Sequence, residues 1–306
     1  MTRIPSSSRL RIIAVSAVLM AAGPPSAAFG QNPRLPRDAS PPEHVPQAGL
    51  YPELRKGREI LLASAGAGLM ISGLFVPVST REVPFAGLDP SEVSWGPDRS
   101  VVGNRSLDSK RFSNWTLGGA MVFPVALALA SAQPGERWRD LGAHGVVYAE
   151  TLLFSQGSTL LAKTTGSRPR PYAYLAEDQR PDNPSYDVST ERTFRSMPSG
   201  HSSSAWTGAT LGITEHLLRR PDASWVERVA VGFVGAGLAG ATSTLRVTAG
   251  QHFRSDVLAG AGIGIVTGVG MPLLHRGTRP LPSAKAWLES MSGVLAGTVV
   301  GVLLAR

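Results

Sequence analysis

ILLASAGAGLMISGLFVPV, residues 60–78, runs for nineteen residues without a charge. A helix of that length makes about five turns and is long enough to cross a lipid bilayer. Its large apolar residues are interleaved with Ala, Ser and Gly, and the strict alternation of a half-buried strand is missing. Six more apolar stretches follow, at residues 115–132, 141–162, 202–219, 225–245, 257–274 and 291–304. Pro221 and Pro280 stand beyond the fourth and sixth, where a helix should already have ended. The fold expected from this pattern is all-α, a helical bundle. Gly, Ala, Ser and Thr recur throughout the stretches and permit close helix packing, either in lipid or in a tight soluble bundle. Composition alone does not choose between the two.

The rest of the 306-residue chain frames this bundle. Arg3, Arg9 and Arg11 precede a short apolar run at residues 12–22, then prolines and small residues to Gly30, which is the form of a secretory signal peptide over residues 1–30. Residues 31–58 are rich in proline and polar residues and read as a linker, so the helical domain is expected over residues 59–306. With no cysteine, the chain has no disulfide, thiolate nucleophile or zinc–thiolate site. Of the net charge of +8, the leader contributes +3, leaving +5 on the remainder. That modest excess suits anionic substrates, and no basic run with interleaved aromatics points to nucleic acid.

Three polar segments sit at the ends of apolar stretches, where a bundle presents a mouth: Lys163 through Arg170-Pro171, Pro198-Ser199-Gly200-His201, and Arg246 through His252 to Asp256. Together they supply what a phosphoryl transfer needs. Arg170 and Arg246 can fork onto phosphate oxygens, and Lys163 adds a compact charge. Ser199 and the Gly200 amide precede an expected helix whose free amides attract anions. His252 and Asp256 are four apart, so a helix already begun would let the carboxylate bond one ring nitrogen and leave the other as nucleophile. His201, protonated, is then the proton donor to the leaving group, and a bell-shaped pH profile is expected. No His-x-x-x-His pair or clustered carboxylates occur at ligand spacing, so no metal is expected.

These motifs resemble the type 2 phosphatidic acid phosphatase superfamily, whose pattern is Lys-x6-Arg-Pro, Pro-Ser-Gly-His and Ser-Arg-x5-His-x3-Asp. Lys163 and Arg170-Pro171, Pro198 to His201, and Arg246, His252 and Asp256 keep that order and spacing, within residues 141–274. Leu245 stands where the pattern has serine. The resemblance implies a six-helix core with its active site at one mouth, and a phosphohistidine on His252. It also implies hydrolysis without a cofactor or metal, and binding of vanadate as a phosphate mimic. The superfamily also contains vanadium-dependent haloperoxidases, and a non-catalytic membrane scaffold is the alternative outside enzymes.

Arg168 is expected to be a solvated neighbour of Arg170, and Arg254 to face solvent or lipid headgroups. His144, Glu150, Glu215 and His216 interrupt apolar helices and are expected to be partly buried with local hydrogen bonds. The expected location is outside the cytoplasm, membrane-associated with a periplasm-facing site, acting on phosphorylated lipids. A soluble periplasmic acid phosphatase acting on small phosphomonoesters is the alternative. A removed leader followed by three full crossings would carry Lys163 into the cytoplasm, so the outward site conflicts with three spanning stretches ahead of it.

Overall fold

The computed structural model describes Leu50, Tyr51 and residues 54–305 apart from 133, 134 and 136. The expected signal peptide and most of the expected linker lie outside these residues. The helices are α1 (Lys56–Phe75), the four-residue α2 (Gly96–Arg99), α3 (Leu107–Ser131), α4 (Arg137–Gly166), α5 (Gly200–Arg219), α6 (Trp225–Thr248), α7 (Arg254–His275) and α8 (Ala284–Leu304). No strand occurs among the described residues, and the fold is all-α. The seven long helices answer one for one to the seven apolar stretches. Helix α1 begins three residues ahead of Glu59, and Leu50 and Tyr51 are already buried.

Serine sets four of the helix starts. Ser106, Ser199, Ser224 and Ser283 keep extended backbone and accept, through the hydroxyl, the amide three residues on. Each thereby satisfies one of the donors that a first turn leaves without a partner.

Contacts between helices give their directions. Ser155 and Thr159 of α4 bond Ser203 of α5 while His144 meets Glu215, so α4 and α5 run antiparallel. Gly260, Gly264 and Gly268 of α7 lie against Ser199, Ser203 and Thr207 of α5, so these two run parallel. By the same reading α6 and α8 are parallel, with Gly293, Gly297 and Gly301 against Val229, Phe233 and Gly237. At each of these six glycines a Cβ would collide with a backbone or hydroxyl oxygen of the facing helix, so only glycine allows the approach. The long helices therefore alternate in direction. The ends of α1, α4 and α6 and the starts of α3, α5 and α7 share one end of the bundle.

Small residues fill the inside and large ones face outward. Helix α5 is central, with 16 of its 20 residues buried. Around it Ala120, Ala205, Ala209, Ala236 and Ala239 are almost wholly enclosed. Meanwhile Leu61, Leu74 and Phe75 of α1, Trp115 and Val122 of α3, and Leu288, Leu295 and Leu303 of α8 are all more than 60 % exposed. Among the described residues five helices, α1, α3, α6, α7 and α8, are long and apolar enough to cross a membrane.

Two long connections, residues 76–106 and 167–199, cover the shared end. They pack on one another through Leu88, Val93, Val101 and Tyr174, and on Phe253 at the start of α7. The Leu88 amide donates to Ala173 O at 2.9 Å, and the Tyr186 hydroxyl to Ala249 O at 2.7 Å.

Candidate active site

The three polar segments meet beneath these connections. Lys163 lies one turn before the end of α4, and its Nζ donates to Arg195 O at 3.1 Å. Arg170 follows in extended backbone. It donates through Nε to Arg192 O at 2.9 Å, through Nη1 to Gln251 O at 2.9 Å, and through Nη2 to the same Arg195 carbonyl at 3.4 Å. Arg246 closes α6 and shares Gln251 Oε1 with Arg170, each guanidinium 3.4 Å away. Two shared neutral acceptors thus link three cations. Among the described residues none of the three has a carboxylate partner, and Arg170 and Arg246 are only 7 % and 6 % exposed.

His252 arrives by a turn that needs glycine. Gly250 has φ +66°, and a Cβ there would overlap the Asn104 carbonyl. The His252 ring is buried, with Nδ1 2.8 Å from Ser196 O and Nε2 3.3 Å from Arg170 Nη1. A carbonyl can only accept and a guanidinium can only donate, so Nδ1 carries the proton and Nε2 presents a lone pair toward Arg170. Burial and the charges of Arg170, Lys163, Arg246 and His201 hold the ring well below the usual histidine range, in its neutral form.

Asp256 does not hold the ring as the four-residue spacing suggested. Helix α7 starts only at Arg254, so His252 precedes it, and Asp256 Oδ2 is 3.7 Å from Nδ1, too far for a hydrogen bond. That oxygen instead accepts from Ser196 Oγ at 2.5 Å and the Phe253 amide at 2.8 Å. Asp256 therefore fixes the segment whose carbonyl fixes the imidazole, and faces the ring as an unbonded negative charge.

Arg168 also differs from expectation. It is no solvated neighbour: its guanidinium donates to Asp256 Oδ1 at 2.6 Å and Asp98 Oδ2 at 2.8 Å, and lies 4.3 Å over the Phe253 ring. Asp98 in turn accepts the Ser255 amide at 3.0 Å, tying the first connection to α7. Arg254 is exposed, as expected.

Ser199 is committed in part. Its hydroxyl accepts the Ser202 amide as the cap of α5, which leaves the hydroxyl proton free to donate, while its amide donates to Asp256 O at 2.8 Å and is not free for an anion. The amides of Gly200 and His201 come next in the first turn and have no intrahelical acceptor. A Cβ on Gly200 would lie 3.7 Å from Lys163 Cε, so the glycine faces the cation cluster. His201 is bonded through Nε2 to Asn114 Oδ1 at 2.9 Å. Burial, then Arg246, Arg170, Lys163 and Lys110, push its pKa down to about 3. These surroundings favour the neutral ring, whereas the role of proton donor needs the protonated one.

Asn114 and Lys110 were missed in the sequence. They sit four apart in the first two turns of α3, a polar pair opening an otherwise apolar helix, which is the one signal that could have shown them. Gln251 and Ser196 gave no signal.

Residues 144–279 match the family model of the PAP2 superfamily. The match over this span supports membership of that superfamily. The matched span holds all three segments of the PAP2 mouth and the buried cations between them. PAP2 membership carries phosphatase chemistry on phosphorylated substrates. No curated protein and no solved structure matches the chain.

Proposed function

We propose that the protein is a metal-independent phosphatase that hydrolyses phosphate monoesters or pyrophosphates of lipids at an outward-facing membrane site. The observation that carries this is the enclosed, carboxylate-free cluster of Lys163, Arg170 and Arg246 beside the unprotonated Nε2 of His252. Buried cations without a countercharge are costly, and a phosphate dianion is the ligand that relieves them. The nearby carboxylate, Asp256, is occupied by Arg168, Ser196 and Phe253. The cradle is thus built from fixed cations and amides, with no carboxylate free to act as a metal ligand.

In the proposed reaction Nε2 of His252 forms a bond to phosphorus while the bond to the leaving oxygen breaks. The dianion offsets the surrounding cations and draws a proton onto His201, which passes it to the leaving oxygen. Water then attacks the phosphohistidine, phosphate leaves, and its proton returns to His201. Arg170, Arg246 and Lys163 hold the charge that develops on the phosphoryl oxygens.

The membrane reading rests on the outward face. Exposed leucines and phenylalanine on α1 and α8 would cost heavily in water. Exposed tryptophans stand toward both ends, Trp95 and Trp115 near the site and Trp138 and Trp225 at the other, as in proteins whose aromatic belts mark two lipid–water boundaries. Arginines flank the connections at both ends, Arg137, Arg219, Arg220, Arg276 and Arg279 at one and Arg81, Arg99, Arg168, Arg180 and Arg192 at the other, so charge does not set the orientation, and the outward-facing site is what the family resemblance implies. This orientation puts the start of α1 in the cytoplasm, so it is incompatible with removal of a translocated leader ahead of a spanning bundle.

Alkaline-quench trapping with a 32P-labelled substrate tests the chemistry: a base-stable label that acid removes is expected on the wild type and absent from His252→Ala. Label on both, or hydrolysis undiminished in His252→Ala, would overturn it. The cysteine-free chain also allows sidedness to be read. An impermeant maleimide on intact cells should label Thr190→Cys, at the site end, and reach Asp222→Cys only after lysis; the reverse pattern would overturn the orientation.

A further inference from the structure

The end of the bundle away from the phosphate cradle holds a second cluster, drawn from three helices. Glu59 lies in the first turn of α1, Glu150 midway along α4, and His275 closes α7. His275 Nε2 is 2.8 Å from Glu59 Oε2 and 3.1 Å from Glu150 Oε2. The three ligand atoms lie within 4.8 Å of one another.

The chemistry of this contact is unusual. His275 Nδ1 is 2.8 Å from Met271 O, and since a carbonyl can only accept, Nδ1 carries a proton. A neutral ring then turns the lone pair of Nε2 toward two carboxylates, which are acceptors as well. Glu59 is oriented from behind, its Oε1 accepting from Arg58 Nη2 at 2.8 Å and the Arg55 amide at 2.9 Å. Glu150 is only 3 % exposed, and neither of its carboxylate oxygens receives a hydrogen bond. The other buried carboxylate–histidine contact at this end is built differently: Glu215 bonds both His144 and the Tyr51 hydroxyl. Among the described residues only the trio leaves a buried carboxylate without a donor.

We propose that Glu59, Glu150 and His275 form a binding site for one divalent first-row metal ion, for which zinc is the probe. One imidazole nitrogen and two carboxylate oxygens are a ligand set that zinc takes readily, with room for a water. The Met271 carbonyl behind Nδ1 is the outer partner that fixes a metal-binding histidine in its tautomer. The ion would satisfy all three acceptors at once, whereas a proton on Nε2 bonds well to one. It would also join α1, whose packing is chiefly on α4, to the end of α7, the helix that carries Asp256 at its other end.

The test uses the full chain purified without chelator, incubated with zinc chloride and separated from free ion. The expected result is about one zinc per chain, an upward shift of Tm on zinc addition, and, with cobalt in its place, visible d–d absorption. Glu150→Gln, which keeps shape and removes charge, should weaken zinc binding at least about tenfold and abolish both shifts. Glu59→Gln, at the surface side, should do the same if Glu150→Gln folds poorly. His201→Gln, at the opposite end, should retain binding. Zinc uptake by the wild type no greater than by Glu150→Gln, or binding lost in His201→Gln and kept in Glu150→Gln, would overturn the proposal. So would a rise in Tm in Glu150→Gln with no metal uptake by the wild type, since the trio would then hold a proton only.

Discussion

Replacing Asp256 with Asn separates charge from hydrogen bonding at the candidate nucleophile. The proton on His252 Nδ1 is held by the Ser196 carbonyl, a main-chain group that the substitution leaves in place. What is lost is a negative charge 3.7 Å from the ring as it becomes cationic on phosphorylation. Two unit charges at that separation interact by about 1 kcal/mol in water and about 4.5 kcal/mol at an effective dielectric of about 20. Both groups are almost fully buried, so the larger figure applies. Converted to a rate it is a fall in kcat of about 10³-fold. Arg168 keeps Asp98 as a partner, so the second arginine of the network is not stranded. Because both Asp256 oxygens are already bonded, and the substitution removes a negative charge beside the cradle, inhibition by phosphate or vanadate should be undiminished or stronger. The assay is steady-state hydrolysis of a chromogenic phosphomonoester, with 15N NMR of the labelled histidines to read the tautomer. A loss beyond about 10⁴-fold together with a move of the His252 proton to Nε2 would refute the reasoning, because the carboxylate would then be setting the tautomer directly. A loss below about threefold would refute it from the other side, leaving the charge no role.

Four further outcomes are expected. His201 has a pKa of about 3 in the folded protein against about 6.5 unfolded, so below pH 6.5 the unfolded chain takes a proton that the folded one refuses. Stability should therefore fall as pH drops from about 6.5 toward 3, less so with vanadate bound or in His201→Gln; a Tm flat over that range refutes this. Gly250→Ala forces a side chain into a positive-φ turn and onto the Asn104 carbonyl, and should cost more than about 1 kcal/mol in urea unfolding as well as lowering kcat; a wild-type stability would show the turn to be adaptable. Arg170→Lys keeps the charge but loses the fork that reaches Gln251, Arg192 and Arg195, and kcat/KM should fall about 10²-fold; unchanged kinetics would remove Arg170 from the phosphate contacts. EDTA should lower Tm in the wild type and not in Glu150→Gln, while the initial rate measured well below Tm is unchanged; a rate lost in EDTA in both proteins would place a metal in the chemistry.

The helices were legible because their signal is local. Residues 60–78 carry their own length and lack of charge, and become α1 with only a shift of a few residues. Helix α3 starts eight residues before the apolar stretch at 115–132, because its first two turns, with Lys110 and Asn114, face the mouth and are polar for that reason. Whether large residues point in or out was not legible, since periodicity fixes one face of a helix and not what lies against it. The glycines of α7 and α8 gave close packing without naming a partner; the structure supplies α5 and α6. In the site, residue types and spacing gave the cations and the two histidines. The second layer was hidden because it is made of main-chain carbonyls, as at Ser196 and Arg195, or of side chains brought from far away, as Asp98 is to Arg168. A carbonyl has no signature in a sequence, so the spacing of His252 and Asp256 suggested a bond that the backbone makes instead.

The two ends of the bundle pose the same electrostatic problem with opposite sign. At one, Lys163, Arg170 and Arg246 are enclosed without a carboxylate; at the other, Glu150 is enclosed without a hydrogen-bond donor, beside Glu59 and the lone-pair side of His275. Packing alone gives no reason to bury either set, since apolar side chains of similar volume would be cheaper in both places. Where buried charge of one sign accumulates around a shared space, a ligand of the other sign explains it. The neighbouring pairs make the contrast: Arg228 with Glu289 and Arg168 with Asp98 and Asp256 are matched within hydrogen-bond distance and need nothing more. The phosphate cradle and the Glu59–Glu150–His275 trio are unmatched, and each is open to a partner of its own charge class, an anion at one end and a cation at the other.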